Sequence, residues 1–288
     1  MSRSATQSRH ARPSRTLKAP RSAAERLTLL ASRLTERDRR LCRLLWDHKV
    51  LTTHQVIAVC FPSRHAATHR LLLLVRLGVL DRFRPFRLTG SAPFHYVLGE
   101  LGAHVLAAER GLTTSELGYN RARTLALAHS EHLGHMVGVN GVFAALAASA
   151  RARPDAALAA WWSERRCTQR WGHLVRPDGF GRWTEAGRTV EFFLEYDTGT
   201  ETVARVVRKL GGYTDLATGS GIWTPTLLWL PGAHREAEVR RAIGTPLVPV
   251  ATASGPVTDP AAAVWLPIGA GETGHRVRLA KLGSRGDR

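Results

Sequence analysis

The chain has 288 residues, 44% of them hydrophobic and 22% charged, ordinary globular fractions that exclude wholesale disorder and leave no need for a metal or disulfide to supply a core. Its 41 lysines and arginines against 23 acids give a formal net charge of +18, the balance expected of a protein that meets polyphosphate. The three cysteines, Cys42, Cys60 and Cys167, are isolated, which supports neither a disulfide framework nor a zinc knuckle and fits a cytoplasmic location.

Residues 1–34 alternate Ser, Arg, Ala and Pro, carry +7, and read as a solvated, disordered basic arm. Thr35-Glu36-Arg37-Asp38 then looks like an N-cap with an acidic first turn, and Leu41, Leu44, Leu45 and His48 follow at helical spacing, so a helix is predicted over 35–48. Thr52 or Thr53 caps a second short helix that Phe61-Pro62 ends. Ser63 caps a third, with Ala67, Leu71, Leu74 and Val75 facing inward and Gly78 closing it. Residues 79–87 and 93–98 are extended runs separated by a turn, and a fourth helix is predicted over 99–110.

Three short helices followed by a hairpin make a winged helix-turn-helix, here residues 35–120, whose third helix enters the major groove while the hairpin touches the backbone. The charge agrees, because residues 63–87 carry +5. Arg64, His65, His69 and Arg70 are the candidate groove and phosphate contacts of the third helix. Arg82 and Arg84, on one strand face, are those of the wing, with Arg87 on the other face.

Residues 111–123 are polar and mark a boundary. A long helix is predicted over 124–151, then strands over 157–163, 176–183 and 189–196, helix 201–215, strand 222–230, helix 234–243 and strand 247–251. This αβββαβαβ order implies an α+β domain, residues 124–268, with a mixed sheet flanked by helices. Beyond Thr252 the chain reads as loose, with Val264-Trp265-Leu266 as a last strand and residues 269–288 as a basic tail. Apolar runs such as 71–75 fall short of the roughly 18 residues that span a bilayer, so no membrane partner is expected. His129, His132 and His135 recur every three residues, but helical zinc pairs prefer i, i+4 with Cys or acidic company, so zinc is not expected.

The stretch richest in chemistry joins Pro177-Asp178-Gly179 to Glu191-Phe192-Phe193-Leu194-Glu195-Tyr196-Asp197. On a strand, Glu191, Phe193, Glu195 and Asp197 share one face, which reads as acidic, and Val190, Phe192, Leu194 and Tyr196 share a core face. Carboxylates so crowded need a proton, an arginine or a divalent cation between them. Asp178 and Glu195 are therefore candidate Mg²⁺ ligands, where a metal would activate water at a phosphorus under attack. Glu164 reads as a strand-end charge rather than a further acid of the site. On helix 201–215 the stripe of Val203, Val206, Val207, Leu210 and Tyr213 places Lys209 at its edge, able to reach back toward the carboxylates as a third catalytic candidate.

Pro177-Asp178, the strand ending Glu195-Tyr196-Asp197 and the element order resemble the PD-(D/E)xK nuclease superfamily, the restriction-endonuclease-like fold. The motif lysine is missing, since Asp197 stands two residues after Glu195, and Lys209 would be a migrated replacement. Together with Thr35 to Asp38, the winged segment, the His-rich helix, Trp162-Ser163-Glu164, Phe193 to Glu201, and Lys209-Leu210 followed by Tyr213, the pattern resembles the replication-relaxation family of bacterial plasmid and integrative-element proteins over about residues 35–251. The resemblance implies a DNA-binding accessory protein in replication or transfer of such an element, with a degenerate nuclease-like domain. An active Mg²⁺-dependent nuclease using Asp178, Glu195 and Lys209, and a transcriptional repressor with a C-terminal protein-interaction domain, are the alternatives. Mg²⁺ is implied only where the site is intact. The partners implied are double-stranded DNA and replication or relaxase proteins, with a homodimer left open.

Overall fold

In the computed structural model the described residues are 33–86, 89–269 and 274–283, so the arm over 1–32, the wing residue Arg87 and the end of the basic tail lie outside them. Thr35 caps α1 (Glu36–His48) in a reciprocal box. Its hydroxyl accepts from the Asp38 amide, and the Asp38 carboxylate accepts from the Thr35 amide at 2.8 Å. The chain continues through β1 (Leu51–Thr52), α2 (Thr53–Cys60), α3 (Arg64–Arg76), β2 (Leu80–Phe83), β3 (His95–Leu98) and α4 (Glu100–Glu109). Thr52 and Ser63 cap α2 and α3 as their sequence positions predict. The three strands form an antiparallel sheet in the order β1-β3-β2. Its hairpin strands are shorter than the extended runs suggested, because Pro85 and Pro93 cannot donate to a ladder.

The polar stretch read as a boundary loop holds two short helices, α5 (Thr114–Leu117) and α6 (Arg121–Ala126). The long helix predicted over 124–151 is broken: after a 3₁₀ turn at 127–129, Ser130 is extended and its hydroxyl accepts from the His132 amide at 3.2 Å. Only then does α7 (Leu133–Ala152) begin. The three histidines therefore do not share one helix face.

The sheet of the second half is built from β4 (Ala156–Ser163), β5 (Gly179–Glu185), β6 (Arg188–Tyr196), β7 (Thr226–Leu230), β8 (Val250–Ser254), β9 (Ala263–Ile268) and β10 (Val277–Arg278). The helices between them are α8 (Glu164–Trp171), α9 (Val203–Ser220) and α10 (Ala233–Ile243). The order is β10-β9-β8-β7-β6-β5-β4, parallel at β6-β7 and β7-β8 and antiparallel elsewhere, so the sheet is mixed as expected. The predicted αβββαβαβ order gains α8 after the first strand; Val264-Trp265-Leu266 lies in β9, the last strand expected, and β10 is added after it. Only Cys167 and Trp171 of α8 are buried, one turn apart, too sparse an apolar pattern to read from sequence. Residues 274–283 are not a loose tail: Arg276 pairs with the buried Glu236 at 2.7 Å, and Arg278 pairs with Glu185.

Alternation along β6 and β7 divides the core in two. Phe192, Leu194, Leu227 and Trp229 meet Val142, Phe143 and Leu146 of α7 on one face, whereas Phe193, Leu228 and Leu230 meet Leu210 and Leu216 of α9 on the other. Trp183 and Trp265 are completely buried. Each such ring removes on the order of 200 Å² from water, a gross gain of about 5 kcal/mol before entropy is set against it. By length and composition α7 could cross a membrane, but its apolar residues face this sheet on one side and α2 on the other.

That second contact joins the two halves, and residues 35–288 form one unit. Gln55 of α2 donates to the Val137 carbonyl at 2.7 Å, and Arg151 donates to the carbonyls of Ile57 and Ala58 at the end of α2. At the end of α1, His48 stacks on Trp161 with ring centroids 4.1 Å apart, and burial drives its pKa down to about 3, so it is neutral. The buried amide of Asn140 donates to both the His48 carbonyl at 3.1 Å and the Val50 carbonyl at 2.7 Å. Replacing Asn140 with alanine strands the Val50 carbonyl and leaves the His48 carbonyl only the Val50 amide, and is expected to destabilise the protein by about 1–3 kcal/mol, measured as a lowered urea midpoint with unchanged slope.

Candidate functional site

Asp178 stands immediately before β5 and Glu195 near the end of β6, antiparallel neighbours that the register brings together. The Tyr196 amide donates to Asp178 Oδ2 at 2.8 Å, locking the two acidic segments to each other. Tyr196 itself packs against Gly138 of α7, where any Cβ would collide with its ring. One helical turn before Gly138, His135 places Nε2 at 3.1 Å from Asp178 Oδ1. Burial opposes a positive charge on His135, but the hydrogen bond and field of Asp178 prevail and hold its pKa above the ordinary value.

Glu195 lies on the face expected to be acidic, yet that face is also core, since Phe193 beside it packs under α9. The carboxylate survives there because donors surround it. Tyr213 donates its hydroxyl to Oε1 at 2.5 Å, and Lys209 donates Nζ to Oε2 at 3.0 Å, as the helical angle predicted. Lys209 also stands 3.5 Å from Glu201. Burial, and then the nearby Asp178 charge, push the Glu195 pKa up, while Lys209 and Tyr213 pull the other way. For Lys209, burial works against the charge, but Glu195 and Asp178 raise its pKa on balance.

Asp197 occupies the position of the missing motif lysine. Its Oδ2 accepts from Arg235 Nε at 2.7 Å and its Oδ1 from the Gly199 amide at 2.7 Å, so it shapes the loop after β6. Glu191 is outside the cluster, at the surface with Arg182. Glu164 is exposed and lines the same groove as Asp178. That groove, about 790 Å³, is bordered by both halves of the protein, with Lys49 from the end of α1 on its rim.

The donor set tests the Mg²⁺ expectation. Mg²⁺ demands free anionic oxygens in near-octahedral array. Here all four oxygens of Asp178 and Glu195 already accept from His135, Tyr196, Lys209 or Tyr213. Among the described residues no group of three or more His, Cys, Asp or Glu side chains could hold a metal ion. The arrangement is a polar network in which each oxygen of the acidic pair already meets a protein donor. His135 and Tyr213 complete it, and sequence reasoning gave neither this role: His135 was one histidine of a repeat, and Tyr213 one member of an apolar stripe.

On the first half, Arg64, His65 and His69 are exposed on α3, the two imidazoles 4.9 Å apart edge to face. Arg70 turns inward instead. Its guanidinium grips the fully buried Asp38 carboxylate with two bonds, Nε to Oδ1 at 3.0 Å and Nη2 to Oδ2, and so ties α3 to α1. Burial alone would raise the Asp38 pKa, but these bonds and those from Thr35 bring it below the usual value. Arg82 and Arg84 both lie against the Phe94 ring, at 3.9 and 4.0 Å from its centroid, so one aromatic ring holds two cations of the hairpin. Asp81, the acid between them and α3, is taken up by Arg121 at 2.8 Å.

The sequence profile of the replication-relaxation family matches residues 42–228, from the middle of α1 to β7 and across both clusters. The chain belongs to the replication-relaxation family. Membership points to a role in the replication or transfer of a plasmid or mobile element. No curated protein and no solved structure matches the chain. The family match covers Asp178, Glu195, Lys209 and Tyr213 together with α3 and the hairpin, so both sites belong to the replication-relaxation segment.

The Glu195 network has a pH signature. A carboxyl whose folded pKa is raised above its unfolded value costs nothing while protonated in both states, and weakens the fold as pH rises through the interval between them. Replacing Lys209 with methionine removes the main opposing charge and raises the folded pKa further. The Lys209→Met variant is expected to be less stable than the parent by about 3 kcal/mol near pH 8 and by clearly less near pH 5, measured by urea unfolding at both.

Proposed function

We propose that this replication-relaxation protein is a duplex-DNA-binding accessory factor in the replication or transfer of a plasmid or integrative element, with residues 35–120 acting as a winged helix-turn-helix. The observation that carries this reading is the disposition of cations. Arg64, His65 and His69 stand exposed on α3, Arg82 and Arg84 are held against Phe94 on the adjoining hairpin, and the nearby acids Asp38 and Asp81 are each neutralised by an arginine. Such a surface offers side chains to base edges from the helix and to phosphates from the wing. Under this reading the restriction-endonuclease-like half is a degenerate scaffold whose acidic pair is satisfied internally.

In equilibrium binding at several salt concentrations, the full chain is expected to bind duplex DNA with affinity that falls steeply with salt. The double variant Arg82→Ala, Arg84→Ala should lower the log–log salt slope by about 1.8, the share of two phosphates. Arg64→Ala should weaken binding about tenfold. A full chain without salt-sensitive duplex binding would overturn the reading.

A second reading, a Mg²⁺-dependent nuclease, is favoured by one feature, the convergence of Lys209 on Glu195 beside Asp178. Supercoiled plasmid incubated with the protein and Mg²⁺ or Mn²⁺ is expected to stay uncut; rapid cleavage that Asp178→Ala abolishes would reverse the ranking.

A further inference from the structure

The turn that ends α1 places backbone strain under a cation. Lys49 has φ 66° and ψ −49°, and the Val50 amide donates to the His48 carbonyl at 2.8 Å, closing a γ-turn of the rare, strained kind. Glycine would adopt this conformation without strain. Asn140 holds the carbonyls on both sides of Lys49, so the turn is locked and the side chain springs from a fixed origin. A turn that served only to reverse the chain would have no use for a long charged side chain at its strained centre.

The side chain is exposed at the rim of the groove floored by Asp178 and Glu195. Three lysine or arginine residues line that groove, and two are committed: Lys209 to Glu195 and Glu201, Arg205 to Glu201. Among the described residues no carboxylate pairs with Lys49. Composition adds an independent observation. The chain uses arginine for 37 of its 41 basic residues and lysine only at 18, 49, 209 and 281. Two of those four lysines, Lys49 and Lys209, line this one groove. An ammonium is a compact, mobile point charge that meets a single phosphate oxygen, where a guanidinium presents a planar fork. Of the six carboxylates that line the groove, Asp178, Glu195, Asp197 and Glu201 have protein cations or donors of their own, which lowers their repulsion toward a polyanion, while Glu131 and Glu164 are exposed.

We propose that Lys49 is a phosphate-binding residue, contacting one phosphate of a DNA strand that passes along the groove between the α3-bearing half and the Asp178–Glu195 floor. The proposal rests on the DNA-binding reading above and extends it from α3 and the wing to a second stretch of the same ligand.

The test uses the full chain and a linear duplex of arbitrary sequence, with thermal unfolding measured in parallel. Lys49→Gly relieves the turn and is expected to raise Tm by about 2 °C or more. The same variant, and Lys49→Asn, which also tolerates positive φ, should each lower the log–log salt slope of binding by about 0.9, one phosphate contact. Lys49→Arg should restore the slope. A purely structural turn would move Tm and leave the slope alone. Unchanged slopes in the Gly and Asn variants, with the parent binding normally, would overturn the role of Lys49 and leave the DNA-binding reading standing. Absence of salt-sensitive binding by the parent would bring down both.

Discussion

One amide group fixes how the two halves of this protein meet. Where α1 ends, the backbone reverses within a single residue; the His48 carbonyl takes the Val50 amide across the turn, while the Val50 carbonyl is left inside the junction with no ladder or helix to receive it. A buried carbonyl without a donor is costly, so the reversal depends on a group that reaches the turn from outside. Asn140 does so from α7, the helix that packs on the large sheet with its other side. Gln55 and Arg151 repeat the device at the two ends of α2. Because polar bonds have directions, they set the angle between α3 and the acidic groove more sharply than apolar contact could. The helix that would read a duplex and the groove that would hold a strand are thereby parts of one rigid frame.

Much of this was legible in the sequence, and what was not has physical reasons. Thr35, Thr52 and Ser63 announced their helices because capping is a local transaction between a side chain and the amides that follow it. The alternation from Val190 to Tyr196 gave the strand and its two faces. It did not show that both faces are buried, because a pattern that scores polarity reads the carboxylate of Glu195 as outward-facing, whereas the structure buries it beside Phe193 under α9. The position of Lys209 on its helix predicted its reach to Glu195 correctly. The partners that complete the network, His135 and Tyr213, arrive from elements remote in the chain, and no local rule assigns them. The same holds for Arg70, which on helix geometry alone could point outward, yet is claimed by Asp38 thirty-two residues away in sequence.

The net charge takes on a different meaning once the ion pairs are known. Pairing leaves the total at +18 and changes where the surplus resides. Arg70, Arg121, Arg235, Arg276 and Arg278 each answer one acid, and four of those acids, Asp38, Asp197, Glu185 and Glu236, are buried. These arginines hold the fold together. Arg64 on α3 and Arg82 and Arg84 on the hairpin answer no acid among the described ion pairs, and neither do Arg188, Arg208 and Arg241 on the second half, so the unpaired surplus is spread over both halves.

The short strand β10 has a consequence for the behaviour of the chain in concentrated solution. Without it, β9, with the sequence Ala-Val-Trp-Leu-Pro-Ile, would be the open rim of a six-stranded sheet, offering unpaired amides and carbonyls beside a large indole. Such rims template the addition of further strands and lead to aggregation. Two residues of β10, flanked by Arg276 and ending in Arg278, cover that rim and anchor the cover to Glu236 and Glu185. At the opposite rim β4 carries a bulge between Leu158 and Ala160, which breaks the regular spacing that a docking strand would need. The sheet is thus covered at one end by a short basic strand and interrupted at the other by a bulge, two unlike devices that each disfavour the addition of a further strand.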